Sequence, residues 1–418
     1  MMLCSRRSLL RAIALTSLLL AGCGSSEPNF VAVGPSNNPN PAPAYAQRLT
    51  PRLQTLMGEM MVPGAVVVVR SPELGDWSAA FGFRDLQKTQ AVTIADHFRI
   101  GSNTKTMTGT VVLQLVEEGL VDLDDPIGDY IDGVPNGDLI TIENLLEMRS
   151  GLPNYTMNLY LNQQLDEDRF RVWMPSELLA LAFGGDIQPP DTEYEYSNTN
   201  TVLLGQLIEE LTGQVAEDAI AERIFAPLGL DETSLPLAAD NSIAQPHARG
   251  YMYSTNVATI ESSVLSPADQ AAALAGTLLP SDQTFSSHSW TWTAGSAIST
   301  AEDLAVYARA LVQGGLLGPE LQAARLNSMQ PSNPAEPAAG AYGWALAEMG
   351  PTYGHIGALP GYNSFMGHDP DRDLTVIVFT NLNSSPQGKA PAAQLAMSII
   401  DELYGEPLHP DETADIDP

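Results

Sequence analysis

A serine and a lysine three residues apart stand in the run Phe98-Arg99-Ile100-Gly101-Ser102-Asn103-Thr104-Lys105-Thr106. The chain has only three lysines, and neither Lys88 nor Lys389 has a serine three residues before it. Met107, Val111, Val112, Leu115 and Val116 follow at helix-type spacing, which places Ser102 at or near a helix start. Residues three apart share a helix face, so Lys105 is expected beside the Ser102 hydroxyl. A serine is a poor nucleophile until a base takes its proton, and a buried amine with a lowered pKa can be that base. The positive end of the helix favours an alkoxide or oxyanion. This is the Ser-x-x-Lys device of acyl-serine enzymes. A serine N-cap followed by a solvated lysine gives the same letters, so partner groups decide.

Two partner motifs follow at sensible distances. Tyr196-Ser197-Asn198 lies just before a helical run holding Leu203, Leu204, Leu207, Ile208 and Leu211. A tyrosine near a cationic lysine ionises more easily and can shuttle a proton, while an asparagine can donate to a substrate carbonyl and accept from the lysine. Tyr160-Leu161-Asn162 has the same pattern but sits in a polar stretch that reads as a surface loop. His355-Ile356-Gly357 lies in Tyr353-Gly-His-Ile-Gly-Ala-Leu-Pro-Gly-Tyr362. A glycine in a strand marks close approach of a backbone or ligand, and His355 is expected to offer a donor or partial positive charge. Alone, a strand histidine is usually a packing residue; the other two motifs reverse that.

The elements that must position these groups can be read coarsely. Gly64 to Ser71, a turn at Pro72 to Gly75, and Trp77 to Phe83 read as a hairpin. Strands are expected around Gly343 to Leu346, Tyr362 to Met366 and Leu374 to Thr380, and a last helix from Pro391 to Tyr404. The middle reads as helices at Ile142 to Met148, Ser176 to Phe183, Val202 to Leu211 and Val215 to Ile224. Ser299-Thr-Ala-Glu302 predicts a capping box for a helix through Leu311. Residues 255–287 are expected as an insertion over the cleft rim. Strands at both ends around a helical middle imply one antiparallel sheet built from distant segments.

With its three motifs in this order, the chain resembles the serine β-lactamase and penicillin-recognising D,D-peptidase superfamily, most closely D-alanyl-D-alanine carboxypeptidases and class C-like β-lactamases. Ser102/Lys105, Tyr196/Asn198 and His355/Gly357 match its Ser-x-x-Lys, Tyr-x-Asn and Lys/His-x-Gly motifs. Arg149-Ser-Gly-Leu152 and Ala294-Gly-Ser296 also agree. The resemblance implies an α/β fold, an antiparallel sheet flanked by helices with an inserted mainly helical lobe. One unit is expected over 45–405, its α/β lobe 45–124 and 286–405 and its helical lobe 125–285. It further implies Ser102 as nucleophile, Lys105 and Tyr196 in proton transfer, and Asn198, His355 and Gly357 as substrate-binding. The amides of Ser102 and Ala358 would hold the oxyanion, with no cofactor or metal. Implied substrates are a peptidoglycan stem peptide ending in D-Ala-D-Ala, a β-lactam or a small ester. A penicillin-binding sensor that stays acylated is a rival of another class.

Departures and exclusions narrow this. The third motif carries His, and no Lys or Arg occurs between Arg325 and Arg372, so local help for a substrate carboxylate is missing. That keeps an esterase, or an amidase for an uncharged substrate, in play. There is no Gly-x-Ser-x-Gly elbow, no His-Glu-x-x-His and no phosphate-binding glycine loop.

Arg6, Arg7 and Arg11 precede an apolar run too short to span a bilayer, and Leu20-Ala-Gly-Cys23 resembles a lipoprotein cleavage site. Residues 1–22 are expected to be removed, Cys23 lipidated, and 23–44 to act as an extended tether on an exported, membrane-anchored bacterial lipoprotein. Ser5-Arg-Arg-Ser-Leu-Leu-Arg11 also resembles a twin-arginine signal. Cys4 and Cys23 are the only cysteines, so no disulfide is expected. Without the signal, 16 basic residues face 50 acidic ones, which disfavours nucleic acid as a partner. Residues 406–418 read as an acidic tail.

Overall fold

The computed structural model describes residues 42–336 and 340–405. The export signal, Cys23, nearly all of the tether and the acidic tail lie outside the described residues.

Helix α1 (Ala44–Met60) leads into the hairpin β1 (Gly64–Arg70) and β2 (Trp77–Gly82). β1 is apolar throughout because both faces are covered: Val66 and Val68 enter one core, Ala65, Val67 and Val69 the other. Its far neighbour is β12 (Leu374–Thr380), which joins β11 (Tyr362–Asp369) and β10 (Thr352–Leu359). β9 (Leu346–Met349), β8 (Ala341–Gly343) and β7 (Gln330–Pro331) complete an eight-stranded sheet in the order β2-β1-β12-β11-β10-β9-β8-β7. Every pair in it is antiparallel. Distant segments thus share one sheet, as the strand-helix-strand pattern implies.

A short strand β3 (Phe98–Arg99) pairs with β6 (Ile298–Ser299), and the helical part of the chain leaves and returns between them. It holds α2 (Asn103–Glu117), α3 (Ile142–Leu146), α4 (Leu159–Glu167), α5 (Pro175–Phe183) and α6 (Asn198–Thr212). α7 (Ala216–Ile220) runs through a π turn into α8 (Ala226–Leu228). Residues 251–282 form β4 (Tyr251–Met252), α9 (Asn256–Thr259), α10 (Pro267–Leu274) and β5 (Ser281–Asp282). After β6 come α11 (Ala301–Gln313), α12 (Pro319–Asn327) and, last, α13 (Pro391–Tyr404).

α2 and α11 lie in the core on one side of the sheet, α1 and α13 in the core on the other. The N-cap of α11 is one residue later than its Ser-Thr-Ala-Glu run suggests. Thr300 accepts from the Asp303 N–H, while Glu302 turns outward to Arg70 and Ser78.

Candidate active site

Ser102 is the N-cap residue of α2, and its side chain is not spent on a capping bond. Asn103 fixes the helix start by donating to Ile100 O at 2.9 Å and to the Ser364 hydroxyl of β11 at 2.8 Å. Two glycines bring helix and strand together. Gly101 has φ +54°, and a side chain there would put its first carbon 2.7 Å from the Ala358 nitrogen; one at Gly357 would lie 2.0 Å from Ile100 O. The backbone around Ser102 therefore abuts Ala358 on β10. Beyond Gly354, β10 has no β9 partner, so His355 to Leu359 present an open strand edge.

Lys105 is fully buried, and its Nζ lies 2.9 Å from Ser102 Oγ, 2.6 Å from Asn198 Oδ1 and 2.8 Å from Ala294 O. Burial holds its pKa well below the usual lysine value, and no carboxylate offsets this. A neutral amine has two N–H donors and one lone pair. Asn198 Oδ1 and Ala294 O can only accept, so they take both N–H groups. In that deprotonated form the lone pair is left for the Ser102 hydroxyl, which then donates to it, whereas the charged amine donates to Ser102 Oγ instead. Two carbonyls thus aim the base at its proton.

Asn198 is the first residue of α6, and its own Nδ2 donates to Asn154 Oδ1 and Thr156 Oγ1, both at 3.2 Å. Its amide is engaged inside the protein, not free for a substrate carbonyl as the motif suggested. Tyr196 lies under Lys105, its ring centroid 4.9 Å from Nζ. Its hydroxyl makes no hydrogen bond of good geometry, although the nearby Ser102 hydroxyl acts to lower its pKa. Burial dominates and raises the phenol far above its usual range, so Tyr196 stays protonated instead of ionising beside a cationic lysine. The decoy Tyr160 sits exposed on α4 against Trp173, and Asn162 holds the start of that helix.

His355 also departs from expectation. Its Nδ1–H donates to Ile356 O at 2.6 Å, and Nε2 accepts from the Tyr342 hydroxyl at 3.3 Å. Burial pushes its pKa down to about 3, and a charge on Lys105 acts in the same direction. The ring is neutral and carries no positive charge for a substrate. It packs with Tyr196 and Tyr342, and Tyr342 in turn with Tyr194, as an aromatic wall.

The turn that supplies the Ala294 carbonyl had no role assigned from the sequence. Trp292 takes φ +39°, a left-handed conformation unusual for any residue but glycine. Five hydrogen bonds hold it: its Nε1–H donates to Glu217 Oε1 at 3.1 Å, its backbone N–H donates to His288 O at 3.4 Å, and its carbonyl accepts from Gly295 N at 3.1 Å, Ser296 N at 3.0 Å and Ser296 Oγ at 2.8 Å. Thr108 of α2 donates to the next carbonyl, that of Thr293, at 2.8 Å. Ala294-Gly-Ser296 was the signal available in the sequence; the left-handed φ at Trp292 shows only in the fold. No cluster of His, Cys, Asp or Glu that could hold a metal occurs among the described residues.

Residues 49–399 match the β-lactamase family. Penicillin-binding protein 4* of Bacillus subtilis is 25% identical over 83% of this chain and 74% of its own length. A solved D-stereospecific amidohydrolase from Streptomyces is 27% identical, covers 86% of this chain and 98% of its own, and superposes with a TM-score of 0.70. The D-amino acid amidase of Ochrobactrum anthropi, solved with D-phenylalanine, is 25% identical over 86% and 100%, also with a TM-score of 0.70. Matches to curated relatives span 47% to 74% of their lengths. With a buried Ser-Lys pair at the helix start and these likenesses along most of its length, the chain belongs to the β-lactamase family, as a serine hydrolase of the β-lactamase and penicillin-binding-protein kind.

Proposed function

We propose that the protein hydrolyses amide bonds on the carboxyl side of a D-residue, through an acyl-enzyme on Ser102, with an uncharged leaving group preferred. The observation that carries the acyl-enzyme is the Lys105 amine, held 2.9 Å from Ser102 Oγ by two carbonyls; the D-residue preference is supported by the D-amino acid amidase likeness. Lys105 takes the proton as Ser102 Oγ attacks the substrate carbonyl. The charge formed on Nζ lies over the Tyr196 ring, which favours a cation. The amides of Ser102 and Ala358 hold the oxyanion, an effect worth about 3–4 kcal/mol. Tyr196 passes its proton to the leaving nitrogen and regains one from Lys105. A water, deprotonated by the same pair, then releases the acid.

A D-alanyl-D-alanine carboxypeptidase would need a cation for the terminal carboxylate. His355 is neutral, and no Lys or Arg lies between Arg325 and Arg372. D-amino acid amides and internal peptide bonds fit better, and the D-amino acid amidase likeness supports them. Full-length protein should release ammonia from D-phenylalanine amide faster than from its L-isomer, and Ser102→Ala should release none. Equal rates for the two isomers would discard the stereochemical reading. Activity of Ser102→Ala would discard the nucleophile. Intact mass after benzylpenicillin separates a stable acyl-enzyme from β-lactamase turnover, and p-nitrophenyl acetate tests the esterase alternative.

Export and a lipid on Cys23 also belong to this proposal, supported by the N-terminal pattern. Radiolabelled palmitate should enter the wild type in a bacterial host and not Cys23→Ala; label in both would remove the anchor.

A further inference from the structure

A pocket opens at the end of β10, and its charge runs against that of the protein. It is a half-open cleft with about 20 Å³ of space for a water-sized group, and Arg99, Arg169, Gln283, Ser287, His288 and Leu359 are among its lining residues. Two guanidinium groups and no carboxylate line it, in a chain with 19 basic and 50 acidic residues.

Arg99 is 3% exposed. Its Nη2 donates to Asn241 O at 2.9 Å, whereas Nε and Nη1 are buried without a partner. Burial lowers its pKa only to about 10, so it stays charged at neutral pH. A buried charge with idle donors calls for an acceptor. The nearby acid Asp240 attracts Arg99, but its carboxylate accepts from the Ser242 N–H at 2.9 Å. His288 is neutral, its pKa lowered to about 4 by burial and then by Arg99. Its Nε2–H donates to Asp240 O at 2.7 Å, which leaves Nδ1 as a buried acceptor without a donor. Arg169 is exposed; it stacks on Phe170 and donates to Asp282 O.

The pocket adjoins the site through two elements. Arg99 precedes Ser102 by three residues, and Leu359 follows Ala358. If the leaving group lies toward His355, the acyl part runs past Ala358 along the open edge and reaches Pro360 in two residues, about 7 Å.

We propose that this pocket is a subsite for a carboxylate on the acyl side of the substrate, about two residues before the bond cut. Arg99 and Arg169 bind the carboxylate, and His288 Nδ1 accepts a neighbouring peptide N–H. The inference rests on the amidohydrolase reading for the direction of the chain, and its test is separable from that reading.

Acetyl-Glu-Gly-D-Ala-amide and acetyl-Gln-Gly-D-Ala-amide differ only in the charge at issue. Calorimetric titration into full-length Ser102→Ala reads binding without turnover, and kcat/KM on the wild type reads turnover. The Glu peptide should bind about tenfold tighter, as one charge-assisted pair gives. Arg169→Gln should reduce that ratio, and Arg99→Lys should reduce it further. The Glu/Gln ratio within one variant does not depend on how much of that variant folds, and Arg169 is exposed. Equal binding of both peptides, no binding of either, or a ratio unchanged in Arg169→Gln would overturn the subsite. Preferential binding of the Glu peptide without cleavage would keep the subsite and sink the amidohydrolase reading instead.

Discussion

Lys105 of α2 and Arg325, which packs against α2, are both fully buried basic side chains, yet they end in opposite states. Lys105, at the first turn, meets only neutral groups, and burial drives its pKa far down. Arg325, reaching α2 from α12, bonds Thr110 Oγ1 at 2.7 Å, Trp344 O at 3.1 Å, Ala345 O at 3.3 Å and Thr106 O at 3.4 Å. Its pKa falls only to about 10, so it remains charged and pins α2 to the turn between β8 and β9. The same burial makes a base of the amine and a brace of the guanidinium, because only the amine can shed its proton near neutral pH.

The largest effect should come from making the first resemble the second. Lys105→Arg replaces an amine that can lose its proton with a guanidinium that cannot, and kcat/KM should fall by about 10³-fold. Near-wild-type turnover by a folded Lys105→Arg would show that the lone pair is not the base.

The converse change should cost stability more than chemistry. Arg325→Met leaves three carbonyls and a hydroxyl without their donor and should lower unfolding stability by about 3–4 kcal/mol. Denaturant titration measures this, with kcat of the folded fraction within a few-fold of wild type. A large loss of kcat at unchanged stability would give Arg325 a part in the chemistry.

A smaller effect has a definite pH sign. Where the folded pKa of a lysine lies below its unfolded value, the unfolded chain binds more protons between the two, so stability rises with pH across that window. Because burial lowers the Lys105 pKa, the group costs stability at pH values below its unfolded pKa. Lys105→Met, inactive, should be more stable than wild type by about 1 kcal/mol, and the gap should narrow as pH approaches 10.5. A gap independent of pH would mean that Lys105 is charged in the folded protein.

The smallest change concerns the turn that aims the lysine. Glu217→Ala frees the Trp292 indole and should lower kcat by about fivefold. Glu217→Gln, which keeps the acceptor, should restore most of it. Equal kcat in all three would make the Glu217 anchor dispensable.

Strands and motifs were legible where pattern and chemistry coincide. Leu374–Thr380 and Pro391–Tyr404 emerge with the bounds their apolar spacing predicts. Ser102, Lys105 and Tyr196-Ser197-Asn198 come together because each sits at or beside the start of a helix, a feature with its own local signature. The states of the groups were less legible. A positive charge on His355 and an easily ionised Tyr196 both assumed solvent that the fold removes. Arg325 reads as an ordinary residue of an amphipathic helix until Thr110, 215 positions away, is seen to face it. Tertiary burial, which no local window contains, decided each of these.

The two ends of the described chain run side by side, α1 packing on α13 in the core on the side of the sheet away from α2. A fusion partner, affinity handle or solid support joined before Ala44 or after Gly405 therefore departs from the rear of the molecule. Immobilised enzyme oriented by either end would turn its cleft toward the bulk liquid, so loading density on a bead should limit throughput before access does.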